Sequence, residues 1–133
     1  MKSINNDLEK VKSEIGRAFI EPLENDILKD FLIGESKYIS SLVTILYFKS
    51  QNVFLNEEVY KIIASGEIIH SASLLHDDVI DNANIRRGKS TIAKVFSPKI
   101  SILAGDYLIA FATEKILELN NDGILTLFKD CIK

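Results

Sequence analysis

The stretch "NEEVYKIIASGEIIHSASLLHDDVID", Asn56 to Asp81, decides the fold. Asn56 has the residue type of a helix N-cap, and Glu57 and Glu58 fall in the first turn, where the helix dipole favours negative charge. Ile68, Ile69, Leu74, Leu75, Val79 and Ile80 make the segment apolar on most sides. A helix of that kind belongs in the middle of a protein, packed on several flanks. The expectation is a long central helix ending at about Asp81, inside an all-α bundle.

The flanks read the same way. Ile4, Leu8, Val11, Ile15 and Ala18 recur at spacings of three and four, the stripe of an amphipathic helix. Pro22 opens a short second helix through Leu32, and Gly34 breaks it. A third helix runs from about Ser36 to Phe48 and is nearly apolar all round, so Tyr47 and Phe48 are expected in the core. "NANIRRGKS", Asn82 to Ser90, reads as a loop, and Thr91 to Phe96 as a short helical turn. Ser97-Pro98 supplies an N-cap and first helical position for a fifth helix, about Lys99 to Leu119. "NNDG", Asn120 to Gly123, is a turn before a last helix from about Ile124, whose apolar face (Leu125, Phe128, Ile132) needs a partner. With only six Gly, two Pro and no sustained alternation of apolar and polar residues, nothing argues for a sheet.

The chain's 133 residues make one domain's worth, with no repeat and no linker, so 1–133 is read as a single helical unit. Its 47% hydrophobic and 26% charged composition predicts a buried core. Sixteen basic against nineteen acidic residues, net −3, argue against a general nucleic-acid binder, which needs a basic face. The lone Cys131 forms no disulfide within the chain, as suits a reducing cytoplasm. The polar start "MKSINNDLEK" has no apolar signal core and no apolar run approaches the ~20 residues of a membrane span, so a soluble, cytoplasmic protein is the expectation.

The chemistry gathers at the end of the central helix. At 100° per residue, Asp77 and Asp81 share a face one turn apart, His70 lies nearly on it, and Asp78 points to one side. Three carboxylates this close repel, and burying one unpaired is costly, so a cation must offset them. Magnesium fits, since it is held by one or two carboxylates plus substrate phosphates. Calcium lacks its loop, and zinc lacks a cluster, with one Cys and only His70 and His76 present. Just beyond, Arg86 and Arg87 offer planar bidentate donors for phosphate, Lys89 adds a point charge, and Gly88 permits close backbone approach. Each knot alone is often a solvated surface feature. Together, inside an apolar helix, they suit a diphosphate held between metal and arginine. His76 is read as a helix-end histidine and Asp106 as a maker of structural hydrogen bonds.

"GEIIHSASLLHDDVIDNANIRRGKSTI", Gly66 to Ile92, closely resembles the first aspartate-rich region of the trans-isoprenyl diphosphate synthases, or polyprenyl synthetases. "AGDYLIA", Ala104 to Ala110, resembles that family's next recurrent stretch. The resemblance implies the N-terminal portion of the all-α isoprenoid synthase fold, usually homodimeric. It implies Mg2+ on Asp77 and Asp81 with Asp78 in support, these three forming the catalytic set. Arg86 would contact the allylic diphosphate, with Arg87, His70 and Lys37 at isopentenyl diphosphate. The reaction implied is ionisation of the allylic diphosphate, attack on the cation by the isopentenyl double bond, and loss of a proton. Small Ala72 and Ser73 before Asp77 lean toward a medium or long product. Terpene cyclases share D-D-x-x-D but generally lack the R-R-G that follows here.

Two departures stand out. Where the family has G-K-x-x-R-P, this chain reads "GESKYISS": Lys37 matches, but Ser40 and Ser41 replace Arg and Pro. Further, the family's second aspartate-rich motif is missing, because only Asp106, Asp122 and Asp130 follow Asp81. The expectation is half of a prenyl diphosphate synthase site, working with a C-terminal half in a homo- or hetero-oligomer. The alternatives are a non-catalytic diphosphate-binding partner subunit and a helical interaction protein whose acidic face is merely solvated.

Overall fold

The computed structural model describes residues 2–19, 26–31 and 38–131, and these are almost wholly helical. In chain order they are α1 (Lys2–Gly16, continued by a 3-10 turn Arg17–Phe19), α2 (Asp26–Lys29), α3 (Ile39–Ser50) and α4 (Glu57–Ile80). A two-stranded hairpin follows, β1 (Ile85–Arg86) and β2 (Lys89–Ser90), then α5 (Ile92–Val95), α6 (Pro98–Leu117) and α7 (Asp122–Cys131). The expected all-α bundle is present. Pro22, Leu32, Gly34 and Lys37 lie outside the described residues.

The α4 helix is the axis, packed against α6, α1 and α3. Ile68, Ala72 and Leu75 of α4 share the core with Ala104 and Leu108 of α6, Val11 and Ile15 of α1, and Ile45 of α3. Polar ties fix the packing. Ser101 Oγ donates to the Leu75 carbonyl at 2.9 Å. Tyr60 Oη donates to Asp7 at 2.6 Å, and Lys49 Nζ sits 2.8 Å from the other Asp7 oxygen, joining α1, α3 and α4. Burial pushes the Asp7 carboxyl up, but the bonds from Lys49 and Tyr60 outweigh it and hold the group below its ordinary value.

The helix ends follow local chemistry. The Asn56 side chain accepts from Val59 N–H, and Ser97 caps α6 with Pro98 at its start. Asn52, Asn82 and Asn120 stand just past α3, α4 and α6 in the left-handed conformation. At Asn82 the closing bonds, Asn82 N–H to Val79 O and Ala83 N–H to Asp78 O, form a Schellman motif that stops α4 directly after the acidic residues.

Three expectations change. "NANIRRGKS" is not a simple loop, because it contains the hairpin. The α7 helix starts at Asp122, since the Asn121 side chain accepts from Gly123 N–H and Ile124 N–H and caps it earlier than the Gly suggested. Tyr47 is exposed, with Ile39, Val43 and Leu46 on the same side of α3.

Candidate functional site

The α4 helix is buried on most sides but open along one stripe: Gly66, His70, Ser73, Asp77 and Ile80 are all exposed, at spacings of four and three. His70 and Asp77 therefore share the face that helix geometry predicts, and exposed Asp81 continues it, its N–H bonded to the Asp77 carbonyl at 2.8 Å. Ser73 lies on this stripe, whereas Ala72 is fully buried in the core. The small size of Ala72 is thus explained by helix packing.

Asp78 points away from the stripe and is buried. Its Oδ1 accepts from Arg86 Nε at 2.7 Å, while its Oδ2 is buried without a hydrogen-bond partner among the described residues. The acidic and basic knots, expected to face each other across a ligand, are joined directly by this ion pair.

The hairpin presents the arginines. Arg86 and Lys89 are cross-strand partners. The loop between them, Arg87 and Gly88, has φ of 51° and 84°, the two positive values of a type I′ turn. Buried Thr91 anchors its base, its N–H donating to Asn84 O and its Oγ1 to Ala83 O. Arg86, Arg87 and Lys89 line one cleft with His70, Ser71 and Leu74 of α4 and with Asp30 and Phe31 beside α2. Asp77 and Asp81 lie outside that lining, on the open face of the same helix end.

Negative charge gathers at this helix end, on two exposed carboxylates and one buried one. No basic residue occupies the last turn of α4, and Asp77, Asp78 and Asp81 crowd the negative end of its dipole. Arg86 offsets Asp78. Among the described residues no three His, Cys, Asp or Glu side chains converge into a metal cage. Two exposed carboxylates one turn apart instead fit a hard cation that completes its shell with water and phosphate oxygens, as magnesium does.

The substituted positions are also resolved. Ser40 Oγ donates to Glu67 at 2.8 Å, and Ser41 donates to the same buried carboxylate oxygen through N–H (3.0 Å) and Oγ (2.7 Å). His76 Nε2 lies 3.2 Å from Ile102 O and 3.4 Å from Asp106, with its ring against Gly105. The sequence reading missed Glu67, Thr91 and Asp30. The acid-hydroxyl signal was present for Glu67, but nothing in the sequence pairs residues so far apart.

The family model for polyprenyl synthetases matches residues 21–133. The chain belongs to the polyprenyl synthetase family. A relative named prenyl transferase, from Cyanidium caldarium, is 33% identical over 125 residues, covering 91% of this chain and 39% of the relative. A chloroplastic solanesyl diphosphate synthase of Arabidopsis thaliana is 42% identical over 67 residues, half of this chain and 16% of that one. A polyprenyl synthase from Caulobacter crescentus, solved with calcium and isoprenyl diphosphate, superimposes with a TM-score of 0.84 at 28% identity, over 97% of this chain and 40% of that one. The chain thus spans about two fifths of the length of the Cyanidium and Caulobacter proteins. Among the described residues no helix is long and apolar enough to cross a membrane.

Proposed function

We propose that this chain supplies the N-terminal half of a polyprenyl diphosphate synthase site, condensing an allylic diphosphate with isopentenyl diphosphate together with a C-terminal half. The observation that carries the reading is the direct joining of the two motifs: the end of α4 bears Asp77 and Asp81 on its open face, and buried Asp78 holds Arg86 in the adjoining cleft. Asp77 and Asp81 would hold Mg2+, which when bound neutralises charge on the diphosphate leaving group. Arg86 and Arg87 grip diphosphate oxygens with planar donors, and Asp78 orients Arg86. His70 and Lys37 complete the isopentenyl diphosphate contacts. In this reading Asp77 and Asp81 are the catalytic carboxylates, and Asp78, which acts through Arg86, is a positioning residue. The apolar helix faces exclude water from the cation. Small, exposed Ser73, one turn before Asp77, leaves room for a medium or long prenyl chain in this reading.

The exposed apolar side of α3 (Ile39, Val43, Leu46, Tyr47) supports assembly with a further helical polypeptide, in a homo- or hetero-oligomer. Residues 1–133 are on this reading one incomplete helical unit of the synthase domain. The lone cysteine fits a reducing compartment such as the cytoplasm. A second reading, a non-catalytic diphosphate-binding partner subunit, rests on Ser40, whose hydroxyl bonds Glu67 where the resemblance expects a phosphate-binding cation. The two separate on mixing the chain with a C-terminal half carrying a second aspartate-rich motif and labelled isopentenyl diphosphate. Elongated product from the mixture, and none from either part, is expected. Diphosphate binding without elongation in the mixture would select the partner-subunit reading.

A further inference from the structure

We propose that Lys89 is a third diphosphate-binding cation of this cleft, and that Asp30 occupies it until the ligand displaces Asp30. The inference rests on the diphosphate-site reading above and adds a residue and a competitor to it.

The hairpin register sets Arg86 directly opposite Lys89. Like charges in that position repel, so each needs a counter-charge. The two counter-charges differ in kind. Arg86 pairs at 2.7 Å with Asp78, whose side chain is fully buried. Lys89 Nζ lies 3.1 Å from Asp30 Oδ2, with both side chains 59% exposed. A buried pair is not exchanged for a solvent ion, because breaking it strands a charge in the interior. An exposed pair adds little to stability and is exchanged readily. Among the described residues, Asp30 is also the one acidic residue lining the cleft that holds His70, Arg86, Arg87 and Lys89. A diphosphate entering there brings more negative charge than one carboxylate and meets Lys89 at the wall. It takes the ammonium and releases Asp30, whereas Arg86 keeps its bond to Asp78 through Nε and binds with its other nitrogens.

The test is calorimetric titration of the chain with isopentenyl diphosphate and, separately, inorganic diphosphate, at fixed low salt. Wild type, Lys89→Gln, Asp30→Asn and the double variant are compared, with Arg87→Gln as a check on the site itself. Loss of an exposed charge-assisted contact predicts about fivefold weaker binding for Lys89→Gln. Asp30→Asn should bind about twofold to fivefold more tightly, by removing the competitor. In the double variant Asp30→Asn should add nothing, since its effect runs through Lys89. Unfolding midpoints confirm that these surface variants stay folded. Unchanged affinity in Lys89→Gln, with weakening in Arg87→Gln, overturns this inference and leaves the site reading intact. Weaker binding in Asp30→Asn overturns the competition. No binding by wild type overturns both the inference and the site reading.

Discussion

Replacing Arg86 with Met tests how the site is held. Asp78 has no exposed side-chain surface, its Oδ1 bonds Arg86 at 2.7 Å, and its Oδ2 has no hydrogen-bond partner among the described residues. Arg86→Met therefore leaves a buried carboxylate without its counter-charge. Breaking one partner of such a pair costs about 3–5 kcal/mol. That is a large part of the roughly 5–15 kcal/mol that stabilises a domain. At a urea slope of about 2 kcal/mol per molar, the midpoint should fall by roughly 2 M. Replacing both members, Arg86→Met with Asp78→Leu, removes the stranded charge and should recover most of the loss, giving a coupling of about 3 kcal/mol. The assay is urea denaturation followed by far-ultraviolet circular dichroism on the two single variants and the double. A midpoint change below about 0.5 M for Arg86→Met, or a double variant less stable than Arg86→Met, would refute the buried-pair reasoning.

Ser40→Arg places a guanidinium where Ser40 now bonds Glu67. It should tighten isopentenyl diphosphate about tenfold, the low end of a charge-assisted contact, and calorimetry showing unchanged affinity would place position 40 outside the site. The Asp7 carboxyl is held below its ordinary value of 3.8, so its contribution is present above that pH and is lost as pH falls through the lowered value. Its partner Tyr60 is pushed up to about 12, chiefly by burial and then by Asp7, so that share is lost as pH rises from about 10 through 12. Asp7→Asn should remove the Asp7 share of the acid limb and reduce, without abolishing, the alkaline limb of a stability-versus-pH curve measured by urea unfolding. Gly105→Ala puts a methyl group into the His76 ring, forcing the ring off Ile102 O and Asp106, and should cost about 1–3 kcal/mol in the same unfolding assay.

The helices were legible because their signals are local. Asn56 and Ser97 announce two starts, and the spacing from Ile4 to Ala18 announces α1. The common face of His70, Asp77 and Asp81 follows from helix geometry alone, as does the turning aside of Asp78. The hairpin was harder: its strands are two residues each, and its type I′ turn begins with Arg87, not the usual Asn or Asp. The three Asn residues that end α3, α4 and α6 carry a readable left-handed signal that composition alone does not rank. Pairings across long separations, Ser40 and Ser41 with Glu67, Tyr60 with Asp7, and Lys89 with Asp30, depend on how helices are laid together, which no local pattern encodes. Tyr47 was misjudged for a physical reason: a helix apolar all round does not say which side its neighbours cover.

The central claim is that the end of α4 binds a diphosphate through magnesium and the hairpin arginines. Calorimetric titration of the chain with farnesyl diphosphate, an allylic diphosphate, with and without Mg2+, tests it most directly. The account predicts binding that requires Mg2+, is lost in Asp77→Asn and Asp81→Asn, and is weakened in Arg86→Met. Equal affinity with and without Mg2+, unchanged in Asp77→Asn and Asp81→Asn, would contradict it.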